Sequence, residues 1–170
     1  MVKHYSNFNI QKKHKGSIVL IGNFDGLHQG HQKLFKLAQS YKKKYNLKIG
    51  VINFDPMPKM FFNEKLKNFK LSNVEQKIKL LSKFKVDFVI TKKFDKKFSK
   101  TKALNFISQI LSKKLSSKFI FVSNNFRFGN KREGNVNLLK KYEQLFNYKV
   151  VKPEPLIKSK KIVSSSLIRN

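Results

Sequence analysis

The 170-residue chain carries 38 Lys and Arg residues against 9 Asp and Glu residues, which gives a formal net charge of +29 at pH 7. The absence of cysteine excludes a disulfide framework and a thiolate zinc site, and no apolar run approaches the ~20 residues of a membrane span. This length, with 40% hydrophobic residues, predicts one globular domain, and the lack of cysteine fits a cytoplasmic location.

Apolar, β-branched runs predict the strands. The polar lead-in over residues 1–16 contains Tyr5, Phe8 and Ile10, which fit a short initial strand. The run at residues 17–22 is apolar almost throughout, which is typical of a central strand buried on both faces. Further strands are predicted at residues 48–54, 86–91, 118–123 and 148–151.

Apolar residues three or four positions apart predict helices between these strands. The predicted helices cover residues 32–45, 74–81, 101–111 and 136–145, and a capping box at residues 72–75 fits the start of the second. Leu104 and Leu145 are expected on the buried faces of the third and fourth helices. Pro56 and Pro58 predict irregular structure, and residues 94–98 a loop.

The alternation of strands and helices predicts an α/β fold, with a parallel sheet of about five strands and helices on both faces. Ligands bind such sheets beyond the carboxyl ends of the strands, at a topological switch point. The unusual segments all follow strands, so we expect them to converge on one edge of the sheet. They are residues 22–31, 55–58, 94–98, 124–134 and 164–169.

Residues 22–31 are Gly-Asn-Phe-Asp-Gly-Leu-His-Gln-Gly-His, a glycine-rich turn between a strand and a helix. Such turns bind phosphates, because glycine lets the backbone approach and the first N–H groups of the helix point at the anion. His28 and His31 add hydrogen-bond donors for charge that develops at phosphorus. The alternative is a turn histidine followed by a helix-capping histidine. The segment lacks the Lys-Ser/Thr of a P-loop and the G-x-G-x-x-G of a dinucleotide fold.

The positive charge has two explanations. A nucleic-acid surface would use it to bind phosphates. Compositional drift explains it as well, because the excess is lysine, is spread along the chain and accompanies many Asn, Ile and Phe residues, which share A/T-rich codons. We favour drift and expect no nucleic-acid partner, while so positive a field attracts phosphorylated ligands. His4 and His14 are expected to be ordinary surface histidines.

Six segments, in the same order, resemble the bacterial FAD synthetase family of the H-x-G-H nucleotidyltransferase superfamily. They span residues 16–170 and include the turn at 22–31, the Phe-Asp-Pro-Met-Pro of 54–58 and the stretch 71–89. The others are Phe94-Asp95 with Phe98, the Asn-Phe-Arg-Phe-Gly of 125–129 with Arg132 and Gly134, and the Val-Ser-Ser-Ser-Leu-Ile-Arg of 163–169.

The resemblance implies a Rossmann-like domain that uses ATP and FMN to make FAD and pyrophosphate, with Mg²⁺ held mainly by phosphates. It implies catalytic roles for His28, His31, Asn125, Ser164 and Arg169. It implies ATP contacts at Gly22, Asn23, Phe24, Asp25, Gly30, Ser165 and Ser166. A flavin ring needs an aromatic or apolar slot, and Phe62, Phe126 and Phe128 are candidates because they lie near the loops at the strand ends. Asn125 and Arg127 are predicted flavin contacts as well, and Asn125, which matches a family position linked to catalysis, is also a candidate Mg²⁺ ligand.

Simpler roles stay open for several of these residues. The serines of 164–166 also fit a helix N-cap, Asp25 also fits a turn former, and any single Phe also fits the core. Departures from the family pattern are Met57 in place of His, Ser123 in place of Gly, Asn135 in place of Asp and Ser166 in place of Thr. The family's C-terminal riboflavin kinase barrel would follow residue 170, so we expect FAD synthetase activity without kinase activity.

Two other functions remain open from the sequence. The first is a different H-x-G-H nucleotidyltransferase, acting on phosphopantetheine, nicotinamide mononucleotide or glycerol phosphate, although the Asn-Phe-Arg-Phe-Gly loop is typical of the flavin branch. The second is a basic RNA-binding protein on a decayed enzyme fold, which would bind RNA with a steep salt dependence. The sequence leaves the oligomeric state undetermined.

Overall fold

The computed structural model describes residues 1–66 and 73–152, together with the backbone of residues 157–158 and 161–162. The strands are β1 (Lys3–Tyr5), β2 (Ile18–Ile21), β3 (Ile49–Asp55), β4 (Phe88–Lys93), β5 (Phe119–Phe121), β6 (Arg127–Phe128), β7 (Gly134–Asn135), β8 (Lys149–Val151), β9 (Ile157–Lys158) and β10 (Lys161–Ile162). Six of them form a parallel sheet in the order β1-β4-β3-β2-β5-β8. The pairs β6–β7 and β9–β10 are antiparallel hairpins.

The helices connect consecutive strands of this sheet. They are α1 (Gln29–Tyr45), α2 (Pro58–Phe62), α3 (Val74–Ser82), α4 (Lys96–Ser99), α5 (Ala103–Asn105), α6 (Val136–Lys141) and α7 (Glu143–Phe146). A π-helix over Phe106–Lys114 continues α5 directly. No helix among the described residues is long and apolar enough to cross a membrane.

The strand β2 separates two hydrophobic clusters, as its apolar sequence predicts. Ile18 and Leu20 pack on one face with residues of α1 and α3, and Val19 and Ile21 pack on the other with residues of α5, its π-helical continuation and α6. All four side chains are at most 4% exposed. This alternation follows from the two-residue period of a strand, and it confirms a parallel sheet with helices on both faces.

The strand order places the switch point between β2 and β5. The chain proceeds from β2 through β3 to β4 in one direction, and from β5 to β8 in the other. The sheet has six strands rather than about five, because Lys3–Tyr5 pairs with β4 at the edge. The turn after β2 and the loop after β5 therefore flank the crevice in which ligands bind such sheets.

Three local predictions were wrong in detail, and backbone hydrogen bonding explains each difference. Asn73, rather than Ser72, caps α3, because its side chain accepts from Gln76 N while Gln76 Oε1 accepts from Asn73 N. Pro58 occupies the first turn of α2, where no N–H is needed. Asp95 caps α4 through Phe98 N, so residues 94–98 include a helix start rather than a plain loop.

Leu104 and Leu145 are 44% and 70% exposed, so both inward assignments were wrong. Leu104 lies in α5, where Ala103 is the buried residue, and the π-helix that follows buries Phe106, Ile107 and Leu111. Leu145 lies on α7, a separate four-residue helix that begins after Tyr142 leaves helical geometry.

His14 is buried rather than exposed, being 5% exposed at the amino end of the sheet. Its ring stacks on Phe88 with centroids 4.7 Å apart, and its Nδ1 lies 2.7 Å from the Tyr5 hydroxyl. Gln11 N already donates to that hydroxyl oxygen. A neutral His14 accepts the hydroxyl proton at Nδ1, and the lowered pKa of His14 favours this neutral form. His4, by contrast, is exposed, and its Nε2 lies 2.9 Å from Thr91 Oγ1.

We expect the free energy of unfolding to fall as the pH is lowered from about 7 to about 5. Burial, then the charge of Lys13, lowers the pKa of His14, with Lys48 and Lys3 acting in the same direction and Asp87 opposing them. On acidification, His14 in the unfolded chain therefore takes up its proton at a higher pH than His14 in the folded chain. The free energy of unfolding falls over the pH range between these two protonations. Urea unfolding at several pH values should show a smaller decline for His14→Gln than for the unchanged protein. Burial also lowers the pKa of His4, so a His4→Gln variant measures how much of the decline comes from that second histidine. An unchanged slope in His14→Gln would contradict the assignment.

Candidate active site

The turn that follows β2 is tightly packed and contains several residues with positive φ. Gly22 N donates to Ile52 O, and the chain then passes through positive φ at Phe24 (49°), Gly26 (78°) and Leu27 (40°). Residues other than glycine rarely adopt this conformation. Phe24 and Leu27 adopt it with their side chains 6% exposed in the cluster beneath α1. Burial of these two side chains therefore holds the turn in one shape.

His28 is the N-cap of α1. Its Nδ1 accepts hydrogen bonds from Gly30 N (3.1 Å) and His31 N (3.4 Å). An accepting Nδ1 places the ring proton on Nε2 in the neutral imidazole, so Nε2 is left as a donor. Burial lowers the pKa of His28, which favours this neutral form. The simpler alternative expected the second histidine of the turn to cap the helix, whereas the first, His28, is the cap. This capping bond sets the tautomer of a predicted catalytic group.

The two histidines of the turn form one stacked pair. Their ring centroids are 3.7 Å apart with an interplanar angle of 24°, and the ring of Phe24 meets His31 edge-on at 5.2 Å. The α1 residue Phe35 in turn contacts Phe24 at 5.2 Å. The pair is therefore attached to the core through Phe24, and it presents two imidazoles side by side at the start of a 17-residue helix.

Asn23 and Asp25 belong to the same turn. Asn23 Oδ1 accepts a hydrogen bond from Phe54 N over 3.4 Å. This bond connects the turn to the carboxyl end of β3. Asp25 is 1% exposed. At the end of β3, Met57 is 3% exposed and is the N-cap of α2. A buried thioether fills space at the position where the family pattern has histidine.

An aromatic patch lies beyond the carboxyl ends of β3 and β4. Phe61 contacts Phe62 at 5.0 Å and Phe94 at 5.3 Å, and Phe94 contacts Phe54 at 5.9 Å, all edge-to-face. Phe62 is 69% exposed. Within this patch only Phe62 was predicted as a flavin contact, and Phe61 and Phe94 are further candidates. Their position after the ends of neighbouring strands was the signal that could have identified them.

The loop after β5 carries the other predicted flavin contacts. Ser123 Oγ donates to Asn125 Oδ1 over 2.9 Å, so the serine that replaces the family's glycine orients an exposed amide. Phe126 stacks on Phe128 at 5.3 Å and 17°, and Phe128 contacts Phe106 at 5.5 Å. Phe128 is 8% exposed and belongs to the core, whereas Arg127 is exposed.

The structure thus groups the predicted residues at one edge of the sheet. The turn of 22–31 and the loop of 123–128 follow the adjacent strands β2 and β5, and the aromatic patch follows β3 and β4. Ser164, Ser165, Ser166 and Arg169 lie outside the described residues. The roles of individual residues stay predictions.

Asn125 is the candidate metal ligand from the sequence. Its Oδ1 is a hard, neutral oxygen on an exposed loop, which suits Mg²⁺ as one ligand among waters and phosphate oxygens. Across the described part of the chain, no group of three or more His, Cys, Asp and Glu side chains could hold a metal ion. The amide oxygen of Asn125 therefore fits a cation that binds together with its phosphate ligand.

Comparison with known proteins gives a consistent result. The FAD synthetase family model matches residues 10–167. A bifunctional riboflavin kinase/FMN adenylyltransferase from Buchnera aphidicola (subsp. Schizaphis graminum) is 41% identical over 162 residues, which are 95% of this chain and 52% of that protein. The enzyme of the same name from Escherichia coli K12 is 34% identical over 159 residues, 94% of this chain and 51% of that protein.

A solved structure is also similar in fold. A crystal structure described as a macrolide-efflux protein from Streptococcus pneumoniae superimposes with a TM-score of 0.84 at 26% identity, covering 99% of this chain and 56% of that one. The chain spans about half the length of the curated relatives named above.

Proposed function

Because this chain belongs to the FAD synthetase family, we propose that it transfers AMP from ATP to FMN, giving FAD and pyrophosphate. The observation that carries the proposal is the stacked pair of His28 and His31 at the capped start of α1, beside the switch point of the sheet. Residues 1–170 act as one nucleotidyltransferase domain in this proposal.

The reaction needs positioning and charge stabilisation more than proton transfer. A phosphate oxygen of FMN is already anionic at neutral pH, so it attacks the α-phosphorus of ATP without a general base. The new P–O bond forms as the bond to the bridging oxygen breaks, and pyrophosphate leaves with that electron pair. His28 Nε2–H and the imidazole of His31 donate to the oxygens on which negative charge grows.

The nucleotide and the flavin both bind beyond the carboxyl ends of the strands in this proposal. ATP binds over the turn at Gly22, Asn23, Phe24, Asp25 and Gly30, with Ser164, Ser165, Ser166 and Arg169 reaching the phosphates. The flavin ring lies against the aromatic side chains of Phe62, Phe126 and Phe128, with Asn125 and Arg127 at its polar edge.

Mg²⁺, when bound, would supply positive charge for the phosphate oxygens. Asn125 Oδ1 is the protein atom we propose for it. The net charge of +29 draws both anionic substrates to the protein. A cytoplasmic location and the absence of a nucleic-acid partner stay predictions from composition.

The direct test is incubation with Mg-ATP and FMN, followed by chromatographic separation of FMN and FAD. We expect FAD to accumulate together with an equal amount of pyrophosphate. Parallel reactions contain phosphopantetheine or nicotinamide mononucleotide in place of FMN, and riboflavin with ATP reports kinase activity. Turnover of another phosphate without FAD would assign the chain to a different branch. Tight, salt-dependent RNA binding without any adenylyl transfer would favour the RNA-binding alternative.

A further inference from the structure

The hairpin of β6 and β7 carries two predicted flavin contacts, Arg127 and Phe128, and follows directly on Asn125 and Phe126. It is too small to hold its own shape. Each strand has two residues, and an isolated two-stranded hairpin is marginal even when longer. The connecting residues include positive φ at Gly129 (80°), Lys131 (54°) and Arg132 (57°). Lysine and arginine rarely adopt this conformation, so contacts from outside the hairpin must hold it in place.

Those contacts converge on the start of the helix that begins at Ala103. Asn130 N donates to Thr101 O over 2.7 Å. A Cβ added at Gly129 would lie 2.7 Å from Ala103 Cα, and one added at Gly134 would lie 2.9 Å from Ala103 Cβ. The two glycines therefore let the hairpin backbone rest directly on the first turn of this helix.

Glu133 completes the junction with a side-chain hydrogen bond. Its Oε1 accepts from Ala103 N over 2.9 Å, across 30 positions of sequence. The local N-cap residue, Lys102, makes no side-chain cap bond. Glu133 therefore supplies from a distance the acceptor that Ser, Thr, Asn or Asp usually supplies locally. Its negative charge is favourable at the positive end of the helix.

We propose that Glu133 is a positioning residue for the flavin side of the site. By capping the helix from the hairpin, it holds Asn125, Phe126 and Phe128 in the arrangement that FMN requires. The ring contact between Phe128 and Phe106 joins the same two elements, so backbone, carboxylate and aromatic contacts all act at one junction. This inference rests on the proposed function, because the hairpin matters to FMN only if FMN binds there.

The test compares Glu133→Ala with Glu133→Gln, using Glu75→Ala as a control. Glu75 is also an exposed carboxylate near a helix start, but α3 already has its own capping box. We expect Glu133→Ala to raise KM for FMN by about fivefold, the effect of losing one cap bond, with little change in KM for ATP. Glu133→Gln keeps an acceptor oxygen, so its KM for FMN should return toward that of the unchanged protein. Glu75→Ala should behave like the unchanged protein.

Two kinetic results would overturn the proposal. One is an unchanged KM for FMN in Glu133→Ala, and the other is an equal rise in both KM values, which indicates general destabilisation.

Amide hydrogen exchange separates this inference from the proposed function. Glu133→Ala should accelerate exchange at Ala103 and over residues 126–135 and leave exchange in β2 and β3 unchanged. If the unchanged protein forms no FAD, the proposed function is wrong and exchange decides the anchoring alone. Faster exchange at the junction then supports the anchoring role of Glu133, and unchanged exchange there overturns it.

Discussion

Replacing His28 with asparagine is expected to lower kcat for FAD formation by about 10²–10³-fold, while thermal unfolding changes little. The asparagine side-chain oxygen can accept from the amides of Gly30 and His31, as His28 Nδ1 does. It keeps the cap of α1 but removes the Nε2 donor. The substitution therefore isolates the contribution of the imidazole to transition-state stabilisation.

His28→Ala provides the matched comparison, because it removes both the cap and the donor. Its kcat should fall about as far as that of His28→Asn, and its free energy of unfolding should fall by a further ~1 kcal/mol. Steady-state kinetics and urea unfolding measure the two effects separately. If His28→Asn retained full activity, His28 would act only as a cap, and the charge-stabilising role would pass to His31 and the rest of the site.

Replacing Gly50 with alanine is expected to reduce the free energy of unfolding by at least about 3 kcal/mol. Gly50 is the register partner of Phe88 between β3 and β4, and a Cβ there would lie 2.1 Å from Phe88 Cζ. The Phe88 ring has no room to retreat, because it is 0% exposed, stacked on His14 and met edge-on by Tyr5 at 6.0 Å. Urea unfolding followed by circular dichroism would measure the loss.

A double-mutant cycle tests the proposed cause of that loss. Phe88→Leu removes the ring that collides with the new methyl group, so Gly50→Ala should cost less in the Phe88→Leu background than alone. The coupling free energy is expected to be about 1–3 kcal/mol. Additive losses would show that the strain at Gly50 comes from the strand backbone rather than from the ring.

Hydrophobic spacing predicted the alternation of strands and helices because it reports burial, which dominates the fold. The burial of both faces of β2 and the convergence of the loops on one edge follow from that alternation. Spacing failed at Leu104, because the short helix α5 buries its neighbour Ala103 instead. The prediction also failed at His14. Its burial depends on contacts with Phe88 and Tyr5, which only the folded chain brings together.

The candidate site likewise has features that the local sequence predicts and features that depend on contacts between distant residues. The glycine-rich turn and its two histidines were evident from the sequence, as was the loop at Asn125. The tautomer of His28 was not, because it depends on distances to two backbone amides. Glu133 went unnoticed for a related reason, since its partner Ala103 lies 30 positions earlier and neither residue is unusual in its own segment.

The order of strands also bears on how the folded protein behaves at high concentration. Within the described residues, β1 and β8 form the two edges of the sheet, and each has only three residues. Lys3 and Lys149 are exposed on these edges. Short, lysine-bearing edges pair poorly with the sheets of neighbouring molecules, and mutual repulsion at +29 keeps those molecules apart. Added salt or polyanions would weaken that repulsion, so self-association should rise with ionic strength.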